Sequence, residues 1–507
     1  MLHRKRYAAA AAALPLASFL AAPFLSLQCS SPASADAPAQ SVTITVQPGA
    51  RQAFAGTGTS IFPWTPSPLY HRQVTPAQNR YMARLLWHDA RLRSARLWII
   101  PGDQPVDFYV DGYVRTGKLP EAIAAGCTDL ILAPDRVPPA FEGASAGGSQ
   151  SYIRDDAIPQ YAALLAGFIR QFKDKTGILI NHCGVLNEPN DRPVKLSDAQ
   201  WPVMIRDLRQ ALDTRRLRAV GIVAPESANC GGDAYAVVDS LHADPAAWGG
   251  LQGIATHSYN NAATEDMAKR SGGKQYWITE AGGITDADEG PEDALQAASV
   301  ASRFLNDVNH GVTHWQFFIG AEQADPKGNT GRILKFDPET ASSPFRLTVL
   351  QKYYYLKQLS ETFDTGAVFR HSLSALDGEM TYTYGKKPRM SAAAARNPDG
   401  SWGVGLSNFT SPNFSDADDP KNFAQHNSGY AARTFEVTVR VPELAAVKSL
   451  RFAAHRSSSG VNDAPDGILV MHSGILVVPA AGPLDLITLR SLPAGNKKLE
   501  TSTRRLH

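Results

Sequence analysis

From Phe54 to Ile319 the chain alternates short apolar runs with longer segments of helical periodicity. Strands joined through helices lie parallel, because each helix carries the chain back across the sheet. The strand-like runs begin at Phe54–Ser60 and Ser94–Ile100 and continue through Leu130–Ala133 and the segment from Ile178 to Leu186. Ala219–Ala224, Gly253–Thr256, Tyr276–Thr279 and Val312–Ile319 complete the series. About eight such runs is the number that closes a (β/α)8 barrel. Between them Ala77–Leu86 reads as a helix with Pro76 in its first turn, and Leu164, Leu165, Phe168, Ile169 and Phe172 mark one helical face. Trp201–Leu212 and Glu292–Val308 are further helices. Gly56-Thr57-Gly58-Thr59-Ser60 carries only short side chains. It lacks the Gly-x-Gly-x-x-Gly spacing of a dinucleotide loop, so a tightly packed barrel strand is expected there.

In this fold the C-terminal strand ends carry the active site. Two of those ends present a glutamate. One is Asn187-Glu188-Pro189; the other is Trp277-Ile278-Thr279-Glu280, released by Gly282-Gly283. Either glutamate alone is compatible with a helix cap or a loop turn, but two at strand ends of one barrel are what β-glycoside hydrolysis asks for. Arg96 lies in the second strand, where it can serve the site or pair with Asp103. His257 and Tyr259 follow the sixth strand, and Glu226 ends the fifth, where a supporting or structural role is expected. Trp64 and Trp315 are balanced between core and sugar platform. His182-Cys183 has no further ligand at metal spacing, so neither a metal nor an organic cofactor is expected.

From about Asp364 short strands such as Tyr382–Tyr384, Gly403–Leu406, Thr434–Val441, Leu450–Phe452 and Gly467–Val470 are separated by Gly, Pro, Asn and Asp, the texture of an all-β sandwich. Residues 51–363 are therefore assigned to the barrel and 364–495 to the sandwich. The alternating strand within residues 36–50 is expected to join the sandwich, and 496–507 form a basic tail. Residues 1–35 read as a signal peptide: His3-Arg4-Lys5-Arg6, an apolar run to Leu27, then Ala33-Ser34-Ala35. The alternative is a retained anchor, which Pro15 and Pro23 disfavour. Secretion or export to the periplasm follows, with no stable membrane insertion after cleavage. Cys127, Cys183 and Cys230 then remain, an odd set expected to be buried hydrophobes rather than a disulfide framework. A formal net charge of +2 over 507 residues gives no field that would draw nucleic acid or an anionic membrane.

Taken in order, these motifs resemble glycoside hydrolase family 30, in the clan of retaining (β/α)8 enzymes with paired glutamates. Gly56-Thr57-Gly58-Thr59-Ser60 is similar to the family's opening strand, and Pro138-Pro139-Ala140 to the stretch after its third strand. Asn187-Glu188-Pro189, His257-Ser258-Tyr259 and Trp277-Ile278-Thr279-Glu280 match its acid/base, sixth-strand and nucleophile motifs. The resemblance implies Glu280 as nucleophile and Glu188 as acid/base with a raised pKa. It also implies substrate contacts or support from Asn187, Tyr259, Arg96, Asp103, Trp315, Trp64 and His257. The implied substrate is a β-linked oligo- or polysaccharide. Where the family places a Trp before Pro-Pro, this chain has Arg136 beside Asp135, so the sugar is not carried over. Arg136 is a candidate for reading an acidic glycan. The alternatives are a hydrolase of another family of this clan and a catalytically silent carbohydrate-binding barrel.

Overall fold

The computed structural model describes residues 39–63, 74–143, 151–259, 261–282, 293–323, 331–376, 388–411, 428 and 430–493. The expected signal peptide, Trp64, Tyr382–Tyr384 and the basic tail lie outside these residues.

Eight parallel strands close into a barrel. In chain order they are Gly56–Ile61, Ser94–Ile99, Asp129–Pro134, His182–Gly184, Gly221–Ser227, Gly253–Ser258, Gln275–Ala281 and His314–Gln323. The eighth pairs with both the seventh and the first, which removes the sheet's free edges. Two further strands, Arg332–Asp337 and Arg346–Val349, extend the eighth beyond the barrel mouth. Ile178-Leu179-Ile180 precedes the fourth strand instead of forming it, and only Ile180 of the three is fully buried. The helices Ile158–Thr176 and Gln200–Thr214 turn one apolar face onto the barrel, whereas Ala294–Asn309 is buried on nearly all sides.

Side chains alternate across each strand, and the barrel interior is correspondingly narrow. Ile131, Val223, Ala255 and Trp277 form its apolar layer. His314 stacks on Trp277 at 3.5 Å and 5°, and Gln316 donates to Ser94 Oγ at 2.8 Å. A Cβ on Gly58 would lie 2.0 Å from that same Oγ, so the short side chains of the first strand are a steric requirement. Outward residues of the same strands, such as Leu97, Ile222 and Ile278, join the main apolar core under the helices.

The β side domain has a four-stranded and a six-stranded sheet. The first is ordered Ser372–Ser374, Gln40–Val46, Phe435–Arg440, Ile475–Ala481. Val42, Ile44 and Val46 point into the core between the sheets, packing with Val437, Val439, Leu406 and Phe452. The six-stranded sheet lies against the barrel through helix Gln351–Thr362, where Tyr355 donates to the Leu484 carbonyl at 2.7 Å and Gln358 to the His455 carbonyl at 2.9 Å. The three described cysteines are buried and free. Burial pushes the Cys127 and Cys230 thiols up to about 12, as small hydrophobes would have it. No helix among the described residues is long and apolar enough to cross a membrane.

Candidate active site

Five barrel strands aim polar side chains at one point inside the C-terminal mouth. Two of them do so by breaking their own alternation. Trp277 faces the interior, so strict alternation would send Glu280, three residues later, outward. The pairing register shifts between Ile278 and Glu280, and the extra residue returns Glu280 to the interior. The fifth strand repeats this: Val223 faces in, the register shifts between Pro225 and Ser227, and Glu226 turns inward. Glu188 and Glu226 both adopt left-handed backbone, at φ 47° and 59°, and the Glu188 amide donates to the Glu226 carbonyl at 3.0 Å. Such conformations are costly for non-glycine residues and concentrate at functional sites.

Arg96 is the hub. It is fully buried, donates from Nη1 to Glu280 and from Nη2 to Asn187 Oδ1 at 2.9 Å. Its Nε and Nη2 both reach Glu226 Oε1 at 3.2 Å. Tyr259 donates its hydroxyl to Glu280 Oε2 at 2.8 Å. His257 Nδ1 lies 2.9 Å from Glu188 Oε1 and 3.6 Å from Glu280 Oε2. Single atoms of Glu188, His257 and Glu280 all fall within 4.8 Å of one another, which places the two carboxylates face to face. Arg96 already supplies the positive charge at Glu280, and we assign no ion to this group.

Burial pushes the Glu280 carboxyl above its ordinary range, Glu188's charge adds to this, and His257, Arg96 and Tyr259 oppose it without prevailing. At Glu188 burial acts in the same direction, but the His257 hydrogen bond and charge, with Arg192 and Arg96, bring the carboxyl below its ordinary range. This corrects the expectation of a raised Glu188. The reason is His257, whose ring is as close to the expected acid as to any group in the site. Nδ1 can donate to an ionised Glu188 or accept from a protonated one, and the contact accommodates both.

Other expectations are corrected as well. Trp315 is fully buried on the outer face of the eighth strand, packed on Phe304 with its Nε1 donating to Asp307, so it is core and not a sugar platform. Asp103 stands exposed in the turn after the second strand, bonded to Gln104, and neither touches nor pairs with Arg96. Arg136 is largely exposed, with Nε 3.3 Å from Asp135 Oδ2.

Several site residues escaped the sequence. Trp98, two residues beyond Arg96 and therefore on the same face, lies under the Arg96 guanidinium at 4.7 Å. It stacks on Phe62 at 5.4 Å, and Phe318 closes the cluster edge-on against Trp98, Phe62 and Tyr259. Asp135 and Arg192 pair at 2.7 Å, and Asp135 approaches Asn187 Nδ2 at 3.5 Å. The period-two spacing from Arg96 and the four-residue spacing of Glu188 and Arg192 were the available signals.

No protein-family model and no curated protein matches the chain in sequence. Solved structures do match in fold. The catalytic domain of a family 30 xylanase C from Talaromyces cellulolyticus superposes with a TM-score of 0.62 at 17% identity, covering 89% of this chain and all of that one. A family 30 endoxylanase from Clostridium papyrosolvens gives 0.61 at 15%, covering 90% of this chain and 100% of the other. An endo-β1,6-glucanase gives 0.56 at 16%, with coverages of 88% and 93%. The chain thus has the barrel-plus-β-domain fold of family 30 glycoside hydrolases.

Proposed function

We propose that the protein is a retaining β-glycoside hydrolase, exported through its N-terminal signal, with Glu280 as nucleophile and Glu188 as acid/base. The observation that carries this reading is the approach of a Glu188 oxygen to a Glu280 oxygen within 4.8 Å, the closeness of a retaining pair, whose carboxyl groups stand roughly 5–5.5 Å apart. Glu280 attacks the anomeric carbon while Glu188 protonates the departing oxygen. The resulting glycosyl-enzyme is then hydrolysed by a water that Glu188 deprotonates. Asn187 gives its oxygen to Arg96 and one amide N–H to Asp135 Oδ1, and its second N–H is the donor we assign to a sugar 2-hydroxyl. Trp98, Phe62 and Phe318 supply the apolar wall for the sugar ring.

Burial biases Glu280 toward its protonated form and His257 biases Glu188 toward its ionised form, whereas the reaction starts with Glu188 protonated and Glu280 ionised. Substrate binding would bring this about by excluding water from Glu188, with His257 Nδ1 changing from donor to acceptor. Both biases run against those roles, which favours a second reading, a carbohydrate-binding barrel that does not turn over. A panel of aryl β-glycosides and β-glycan oligosaccharides separates the two. Turnover by wild type, lost in Glu280→Ala and partly restored by azide, is the expected result. Binding with no turnover on any substrate selects the silent barrel.

A further inference from the structure

A third carboxylate lies beneath the pair. Glu226 is fully buried, and its Oε1 takes two N–H groups of Arg96, each at 3.2 Å. Its Oε2 has no hydrogen-bond partner among the described residues. Gly184 on the neighbouring strand holds the space open, since a Cβ there would lie 2.0 Å from that oxygen. The fold therefore accepts a left-handed backbone, a desolvated carboxylate and a half-satisfied acceptor at one residue, each of which costs stability. What it gains is a fixed guanidinium. Arg96 is a rigid planar fork, so seating one edge on Glu226 sets the directions of its remaining donors toward Glu280 and Asn187.

We propose, resting on the hydrolase reading, that Glu226 is a positioning residue that acts through Arg96: it orients the guanidinium and offsets its charge, and so sets how tightly the nucleophile holds a proton. The groups facing Glu280 are Arg96 from the second strand, Glu188 after the fourth, and His257 and Tyr259 from the sixth. Glu226 itself faces Arg96, with Cys183 and Tyr161 behind it. Burial raises both of those groups and the charge of Glu226 adds to the effect. Removing that charge leaves Arg96 uncompensated beside Glu280, which stabilises the ionised nucleophile and makes it a weaker base and a weaker attacking group.

The test is a carboxyl-carbon NMR titration of the full chain labelled in its glutamates, with the Glu280 resonance assigned by its loss in Glu280→Gln. In Glu226→Gln the Glu280 midpoint should fall by about one pH unit or more. An unchanged or higher midpoint overturns the proposal. Glu226→Asp keeps the charge but withdraws it by one methylene. Its expected fall is smaller, it decides the question if Glu226→Gln does not fold, and an unchanged midpoint there is equally fatal. Turnover is read separately. If wild type hydrolyses nothing, the hydrolase reading fails while the titration still decides whether Glu226 sets the charge of Glu280. If wild type is active, Glu226→Gln should lower kcat at least tenfold and move the acid limb of kcat/KM to lower pH. A folded variant whose acid limb stays in place has lost a purely structural group, and the proposal is then wrong.

Discussion

Tyr259 tests the nucleophile most directly. Its hydroxyl stabilises only the ionised form of Glu280, whose carboxyl burial already pushes up. Attack requires the ionised form, so activity falls as pH drops through the Glu280 value, and the acid limb of kcat/KM is expected above the ordinary glutamate range. A hydrogen bond to a charged group contributes about 1.5–3 kcal/mol. Tyr259→Phe should therefore move that limb upward by about one to two pH units and lower kcat at fixed pH. A limb that does not move would show that Tyr259 is not bonded to the working nucleophile. Arg136 is a separate matter of selectivity. Its guanidinium is largely exposed and reaches Asp135, a buried carboxylate that Arg192 already pairs with, so Arg136 can turn toward a uronic acid. Arg136→Ala should cut the ratio of activity on acidic to neutral glycans, and an unchanged ratio ends the idea.

Elements explain which of these residues were legible. Alternation of strand and helix from Phe54 to Ile319 was enough to read the barrel, because short apolar runs recur between longer segments of helical periodicity. The glutamates were legible from their places at strand ends. The inward aim of Glu280 and Glu226 was not, because it comes from register shifts after Ile278 and Pro225 that leave no mark in a period-two pattern. Trp315 failed for the opposite reason. Its strand keeps strict alternation up to Phe317, and an aromatic residue beside inward-facing Gln316 has to point at the helices. Trp315→Phe should leave KM unchanged. It should lower stability by about 1–3 kcal/mol, since buried Asp307 loses its indole donor. A rise in KM without loss of stability would return Trp315 to the sugar site. The resemblance gave His257 as a contact or supporting residue, but its hold on Glu188 spans the sixth strand and the segment after the fourth, which no single stretch of sequence reveals.

At the scale of the molecule, the strand Gln40–Val46 sits between Ser372–Ser374 and Phe435–Arg440 in the four-stranded sheet. Removing residues through Val46 would take Val42, Ile44 and Val46 from the core and leave both neighbours with open edges. At about 1.5–3 kcal/mol for each buried side chain, the loss is roughly 5–9 kcal/mol, comparable with the whole stability of an ordinary domain. The truncated chain should unfold at markedly lower denaturant concentration or fail to accumulate. An unaltered midpoint would mean that the β domain is complete without it.

That pairing also sets an order in time. Gln40 lies in register with Phe435, so on the ribosome the strand waits for nearly four hundred residues of synthesis before its partner exists. The barrel, whose strands follow one another along the chain, can assemble in the interval, but the β domain cannot close until the last part of the polypeptide has emerged. Throughout synthesis the chain therefore keeps an apolar strand, Gln40–Val46, without the sheet partner it will finally have.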